Sequence, residues 1–372
     1  MNVIRPTHAI IDLKAIDYNM RQIKRRVGNV KVMAVIKANA YGHGDVQVAR
    51  VVLNAGAEWL GVAIAEEGIT LRAFFPEVPI LAFVPAIIDQ LPLYVEYGID
   101  ITLCTIEVAN ALDALSGVLQ KKASVHIKVD TGMGRVGVPW EEAAEFYRHV
   151  ARLPNIVIRG IYTHFSRADE ADKTYTRLQL DRFNHVLDIL QKNGYSIPLR
   201  HCANSGAILD MKESYFDMVR PGITIYGYYP SYDVGRTIEL KPALSLYSRI
   251  NYMKKVSPET PLSYGGKYVV QKETRIASVT IGYGDGYSRL LSGKTYALIG
   301  GQRYPVVGLI CMDQILVDIG MEASVQLGDR VTLIGSDGDK SITAWSVAET
   351  LGTIPYEVFC QISPRVPRIY VE

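Results

Sequence analysis

Lys37 closes an apolar run, residues 32–36, and opens a loop that carries Tyr41, Gly42 and Gly44. A run of β-branched and apolar residues bounded by glycines reads as a buried strand that breaks into a turn. A lysine at the mouth of an apolar core gives up its proton more readily than one in water, which suits it to Schiff-base chemistry. The same lysine could also simply meet solvent where its strand stops, as most lysines do. What surrounds it in the chain has to separate these two readings.

From residue 30 to about 227, strand-like runs alternate with helix-like ones. The strand candidates are 30–38, 59–63, 79–84, 99–104, 124–129, 157–163, 199–203 and 218–226. Helical spacing is found at 47–55, 64–74, 106–119, 140–153 and 175–193, and in the last of these Leu178, Phe183, Val186, Leu187 and Leu190 could line one face. Repeated strand and helix units favour a parallel sheet, and this many of them favour a closed (β/α)8 barrel over an open sheet. After Pro230 helical periodicity fades. Alternating stretches at 243–254, 274–281, 296–299, 304–310, 315–319 and 330–334, separated by glycine-rich turns, read as a mostly antiparallel C-terminal β domain, in which only 343–351 looks helical. The expected division is a barrel over 10–232 and a β domain over 233–372, which the N-terminal strand 1–9 could join; the opening strand candidate, His8 to Leu13, could belong to either domain.

In such barrels chemistry collects at the C-terminal ends of the strands. That rule selects Lys37 and Tyr41 after the first strand, Lys128, Asp130 and Arg135 after the fifth, His164 after the sixth, Asn204 and Ser205 after the seventh, and Arg220, Gly222 and Ile223 on the eighth. Each has an ordinary alternative: Arg220 could be a structural ion-pair member and His164 a satisfied core histidine. Together, cations, a hydroxyl and glycine-exposed backbone suit a phosphate and a carboxylate. The Ser205-Gly206 turn offers N–H groups at a helix start. Pyridoxal 5'-phosphate has both the phosphate and an aldehyde for Lys37.

Composition narrows the field. Hydrophobic residues make up 48% and charged residues 21% of the 372, with a formal net charge of +2, which gives no reason to expect nucleic acid or a membrane as partner. The N-terminus lacks a signal pattern and no segment approaches ~18 apolar residues, so a cytoplasmic protein is expected. Cys104, Cys202, Cys311 and Cys360 lie far apart, with no metal-ligand spacing and no disulfide framework. Gly132 to Gly137 fits the G-x-G-x-x-G pattern of a dinucleotide site, but the next strand ends in Thr163-His164 without the acidic residue an NAD-dependent dehydrogenase needs there. In the second domain, Ser263-Tyr264-Gly265, Gly282-Tyr283-Gly284-Asp285 and Cys311-Met312-Asp313 place polar or sulfur-bearing groups beside glycines or at strand ends, and they are also readable as ordinary turns.

The run Lys37-Ala38-Asn39-Ala40-Tyr41-Gly42-His43-Gly44 resembles the cofactor-lysine signature of alanine racemases, the fold-type III pyridoxal phosphate enzymes. The resemblance continues through Trp59 to Ala63, Asp130 to Gly137, His201 to Gly206, Val219 to Ile223, Ser263-Tyr264-Gly265, Cys311 to Gln314 and Arg365 to Arg368, in the family's order. It implies a barrel plus β-domain subunit and a homodimer with shared active sites. On matching positions Lys37 would hold the cofactor. Tyr41, Ser205, Gly222, Ile223 and Tyr356 would bind its phosphate, and Arg220 would face the pyridine nitrogen. Arg135 and the Met312 backbone would take the substrate carboxylate, Lys128 matches a position often carbamylated, and Cys311, Asp313 and Tyr283 would support the site. No metal is expected.

The implied reaction interconverts L- and D-alanine, either supplying D-alanine for peptidoglycan or breaking alanine down. Lys37 would act on the D-isomer, and Tyr264 of the partner subunit, assisted by His164, on the L-isomer. Alternatives are a serine or broad-specificity racemase and, more remotely, a fold-type III decarboxylase or a non-catalytic pyridoxal phosphate carrier. A decarboxylase would want a carboxylate where Arg220 stands, and a carrier would lack the second domain with Tyr264 and Met312. Leu309 departs from family members that place an arginine there to line the substrate channel, whereas Arg289 matches.

Overall fold

The computed structural model describes residues 5–372; residues 1–4, part of the segment 1–9, lie outside the described residues. The chain forms two compact units. One, the barrel unit, comprises Ala15–Ala40 and Gly44–Lys241; the other, the sheet unit, comprises residues up to Lys14, Tyr41–His43 and Pro242–Glu372.

With β1 at His8–Asp12, the barrel unit is built on β2 (Lys31–Val35), β3 (Trp59–Val62), β4 (Ile80–Ala82), β5 (Asp100–Leu103), β6 (Ala123–Asp130), β7 (Ile156–Tyr162), β8 (Arg200–His201) and β9 (Met218–Val219). Neighbours pair in parallel from β9 through β2 to β8. The ring closes where the Asp217 N–H donates to Arg200 O (3.1 Å) and the Arg220 N–H to Ala203 O (2.9 Å). These strands are buried on both faces, which is why they read as continuous apolar runs such as Val32-Met33-Ala34-Val35. Met33, Trp59, Leu81, Tyr162, Leu199 and Met218 pack together as a core cluster. The barrel and the antiparallel sheet anticipated from the sequence are both present.

Three local expectations need correction. The eighth strand stops at Val219, and Ile223–Tyr226 coils into a 3₁₀ turn, because Pro221 has no N–H for a ladder and Gly222 leaves the extended region. On helix Thr174–Lys192 the buried stripe is Leu180, Phe183, Val186, Leu187 and Leu190, while Leu178 is exposed. Leu178 stands five residues before Phe183, about 140° round the helix from it at 3.6 residues per turn. A second helix of the sheet unit, Pro355–Gln361, follows the expected one and starts on a proline at its first position, a placement that needs no N–H.

The sheet unit holds β10 (Leu244–Val256), β11 (Thr274–Val279), β12 (Tyr296–Ile299), β13 (Gln302–Val307), β14 (Ile315–Asp318), β15 (Arg330–Asp337), β16 (Lys340–Ile342) and β17 (Arg368–Val371). Long β10 pairs antiparallel with β1, β11 and β15, and β1 also pairs in parallel with β17. The N-terminal strand therefore completes this sheet. Within the same unit Arg368 is a five-donor anchor. Its guanidinium donates to Gly42 O (3.0 Å), Ser363 O (2.7 Å), Val366 O (2.7 Å) and Ile362 O (2.6 Å). Arg368→Met should leave these carbonyls without their donor and lower stability by about 2 kcal/mol or more. A urea unfolding midpoint unchanged from wild type would show the anchor to be dispensable.

Candidate active site

The C-terminal ends of the barrel strands gather the residues selected above. Lys37 lies just past β2, half-buried, and opens an unusual turn: Ala38, Asn39, Ala40 and Tyr41 all take left-handed φ values of 49–53°. Each such residue costs about 1 kcal/mol or more, so something must hold it there. Glu67 is part of the answer. Its carboxylate accepts the N–H of Ala38 (2.6 Å) and of Ala63 (2.7 Å), tying the ends of β2 and β3 together. The Asn39 side chain accepts the Asp45 N–H at 3.0 Å and its carbonyl accepts the Gly44 N–H at 2.9 Å.

Arg220 is buried and donates to Thr163 O (2.7 Å), Cys202 O (3.1 Å) and the ring nitrogen His201 Nδ1 (2.8 Å), with His164 Nδ1 at 3.4 Å. Burial pulls the guanidinium down to about 10, still a cation at neutral pH. His164 is pushed well below the ordinary imidazole range, first by burial and then by the four cations Lys128, Arg220, Arg135 and Lys37. That list of neighbours places all five groups in one electrostatic site. Its imidazole is accordingly neutral at pH 7. Gln179, buried on helix Thr174–Lys192, braces the strand end by donating to His164 O (3.2 Å) while its oxygen accepts the Ser166 N–H (2.9 Å).

Lys128 is buried on β6 with its ammonium 4.4 Å above the Tyr162 ring, and no ion pair reaches it among the described residues. Desolvation first, then Arg220 and Arg135, drive it well below its ordinary value. Tyr162 cannot compensate as an anion, since burial raises it to about 12 while it shares a hydrogen bond of 2.6 Å with Thr102.

Ser205 starts the short helix Ser205–Asp210, capped by the Asn204 side chain, which accepts the Ala207 N–H (3.1 Å). Its hydroxyl accepts the Gly222 N–H (2.9 Å) and meets Thr224 at 3.1 Å, bringing the seventh and eighth strand ends together. The glycine fingerprint is accounted for differently. Asp130 Oδ1 accepts the N–H groups of Gly132 (2.9 Å), Met133 (2.9 Å) and Gly134 (3.1 Å), so the donors a pyrophosphate would use are already taken by the chain's own carboxylate. The Arg135 loop is pinned further by Tyr175, which donates to Gly132 O (2.7 Å), and by Arg182, which donates to Thr131 O (2.9 Å).

In the sheet unit, Tyr264 is 70% exposed and Met312 51% exposed, each on a tightly held turn. Ser263 donates to Leu309 O (2.6 Å) and lies 3.7 Å from the Cys311 sulfur. The N–H groups of Tyr283 and Gly284 donate to Cys311 O (3.0 Å) and Met312 O (2.9 Å), and Arg365 holds Asp313 at 2.7 Å. Tyr41 and Tyr356 meet edge to face, centroids 5.7 Å apart. Sequence reasoning missed Glu67, Gln179 and the buried His126 and Asp100; only the strand-end position of His201, inside a motif already noted, pointed toward any of this network.

Among the described residues no cluster of His, Cys, Asp or Glu could hold a metal, no disulfide joins the four cysteines, and no helix is long and apolar enough to cross a membrane. Residues 11–230 match the family model "Alanine racemase, N-terminal domain" and residues 243–370 match "Alanine racemase, C-terminal domain". An alanine racemase from Halothermothrix orenii is 46% identical over 99% of this chain and 97% of its own length. A Clostridium difficile alanine racemase structure superposes with a TM-score of 0.95 at 39% identity, covering 100% of this chain and 97% of its own. A second structure, of alanine racemase from Bartonella henselae with covalently bound pyridoxal phosphate, gives a TM-score of 0.89 at 30% identity over 98% of this chain and 99% of its own.

Two predictions follow from the geometry. Ala38 is exposed, so Ala38→Gly should relieve the left-handed strain, offset in part by a freer unfolded chain, for a net gain of about 0.5 kcal/mol; a lower urea midpoint would contradict the strain. Lys128 keeps its proton in the unfolded chain up to 10.5 but sheds it well below that when folded. Stability from this site therefore rises with pH across that window, because the unfolded state binds more protons. Lys128→Met should stabilise the cofactor-free protein at neutral pH and flatten the rise; urea midpoints taken from about pH 7 to about pH 10 would read both.

Proposed function

The chain belongs to the alanine racemase family, and from that premise we propose that it interconverts L- and D-alanine with pyridoxal phosphate, using Lys37 and a partner subunit's Tyr264 as the two bases. The observation that carries this reading is the electrostatic one: Lys37, Lys128, Arg135 and Arg220 all act on His164. Such a mouth suits two anions, a cofactor phosphate and a substrate carboxylate.

The residues present fit the cofactor. Lys37 sits at a strand end, the Ser205–Gly222 hydrogen bond brings a hydroxyl and backbone donors together, and the Arg220 guanidinium offers only donors. Lys37 would hold it covalently; Ser205, Gly222, Ile223, Tyr41 and Tyr356 would take its phosphate. When bound, pyridoxal phosphate supplies an electron sink that lets the Cα–H of alanine ionise. Arg220, which cannot accept a hydrogen bond, would face the ring nitrogen and supply no proton-accepting partner there. Arg135 and the Met312 N–H of a second copy would orient the substrate carboxylate.

Inversion requires proton-handling groups on opposite faces of Cα. The Lys37 amine takes the proton from D-alanine, and the Tyr264 oxygen of a second copy takes it from L-alanine. A tyrosine is a poor base at pH 7 unless helped, and neutral His164, beside Arg220, is the group suited to help it. Exposure of Tyr264 and Met312 on rigid turns supports a homodimer with shared sites, placed in the cytoplasm. Burial lowers the proton affinity of the Lys128 amine, whose deprotonated form can add to carbon dioxide and lose a proton, giving a carbamate anion that would brace Arg135.

Purified protein should show a visible cofactor band that borohydride bleaches, and Lys37→Ala should lose both the band and D-alanine formation. Tyr264→Phe should lower racemisation in both directions by about a hundredfold or more, keep solvent deuterium exchange at Cα of D-alanine and lose it for L-alanine. L-Alanine exchange surviving in that variant would rule out Tyr264 as the second base.

A further inference from the structure

Four buried groups are strung across the barrel unit. Arg220 Nη1 donates to His201 Nδ1 at 2.8 Å. His201 Nε2 meets His126 Nδ1 at 2.9 Å, and His126 Nε2 lies 3.3 Å from Asp100 Oδ2. Asp100 is the first residue of β5 and Arg220 follows the last residue of β9, so the series runs from the N-terminal floor of the barrel to its C-terminal mouth.

The proton positions are dictated from one end. A guanidinium only donates. His201 Nδ1 must therefore present its lone pair, which leaves the proton of a neutral imidazole on Nε2. That N–H points at His126 Nδ1, which must accept, so the His126 proton is also on Nε2, facing the Asp100 carboxylate. The last step is the loosest, an ion-pair distance away from good hydrogen-bond alignment. No ring can be turned round without setting two donors or two acceptors against each other.

The surroundings reinforce this order. His201 stacks on Tyr162 with centroids 4.7 Å apart and planes 5° apart, and Lys128 adds a further positive charge nearby. His126 meets the edge of Trp59 at 5.2 Å. Asp100 is held from its other side by Arg159 at 3.1 Å. Room for the imidazole pair depends on Gly160, paired with His126 across β6 and β7: a Cβ there would stand 2.5 Å from His126 Nδ1.

We propose that Asp100, His126 and His201 are positioning residues, a one-way relay of two hydrogen bonds that ends in the His126–Asp100 ion-pair contact and fixes the Arg220 guanidinium in place and in orientation as a donor toward the barrel mouth. The arrangement parallels the way a buried aspartate fixes the tautomer of a catalytic histidine, with one more ring in the series. This rests on the reading that Arg220 faces the cofactor, and it assigns the height of the barrel core to keeping it there.

The test begins with ¹⁵N-histidine-labelled full-length protein loaded with pyridoxal phosphate, its imidazole nitrogens followed by NMR from about pH 5.5 to about pH 9. Two rings should carry the proton on Nε2 alone, and they should be assigned by their loss in His126→Gln and His201→Asn; the His201 ring should also fail to titrate. Either ring carrying its proton on Nδ1, or His201 titrating in that range, would overturn the relay. In Arg220→Lys the fixed fork is gone and His201 should show mixed tautomers; an unchanged His201 signal would also count against the proposal. Because the spectra report on the relay alone, a protein that passes them yet makes no D-alanine would sink the function proposed above while leaving the relay standing. The kinetic arm is His201→Leu, which should lower kcat about tenfold with little change in KM. His201→Asn, whose side-chain oxygen can accept from Arg220, should recover most of that loss. Equal losses in both variants would reduce His201 to a packing residue.

Discussion

A buried guanidinium with no carboxylate beside it is the constraint from which the barrel mouth follows. An uncompensated charge in a barrel core would cost several kcal/mol, so Arg220 must be solvated by the chain itself. The carbonyls of Thr163 and Cys202 and the lone pair of His201 do this, and each lies at or just beyond the end of a barrel strand. The same bonds that solvate the cation also lock β7, β8 and β9 at their C-terminal ends. Satisfying Arg220 and closing the barrel are thus one structural problem with one solution.

The mouth that results is electrostatically unfinished. Lys128 and His164 are both depressed by desolvation and by neighbouring cations. Charge is being displaced here by more charge. A fold that keeps such an arrangement is stabilised by whatever anions arrive, and its affinity for them is the counterpart of its own internal repulsion. The acidic side chains near the mouth are spent on backbone: Asp130 on the Gly132 to Gly134 turn and Glu67 on the ends of β2 and β3. Asp130 also supports the Lys128 ammonium, though burial and the neighbouring cations outweigh it.

Much of this was legible in the sequence because barrels confine chemistry to strand ends, and strand ends are marked by the change from apolar runs to glycine and polar residues. Helix Ile106–Leu119 was bounded as expected, since Thr105 caps one end and Gln120 turns left-handed at the other. Errors arose where local pattern and backbone chemistry disagreed, as at Met218 to Tyr226, where Pro221 breaks an otherwise strand-like run. The left-handed turn after Lys37 was invisible: Ala-Asn-Ala has no glycine to announce positive φ, and the carboxylate that helps hold it belongs to a residue 29 positions away from Ala38. Glu67, Gln179, His126 and Asp100 escaped for the same reason. Their roles depend on partners brought close by barrel closure, and nothing in their immediate neighbours distinguishes them from ordinary helix or strand residues.

The turns of the sheet unit pose the reverse question, since they are rigid where solvent exposure would permit freedom. Met312 and Tyr264 present apolar surface to water, yet the backbone beneath Met312 is fixed by Gly284 and the loop around it by the Arg365–Asp313 pair. Buried Asp285, which accepts from Arg5 and lies 3.5 Å from Arg365, stiffens the same corner. Ordering a loop costs conformational entropy, and exposed methionine and tyrosine return none of it in the single chain. The cost is offset only if those side chains, or the N–H groups beside them, find a partner surface. In the homodimer proposed above, the barrel mouth of a second copy, rich in donors, would be such a surface.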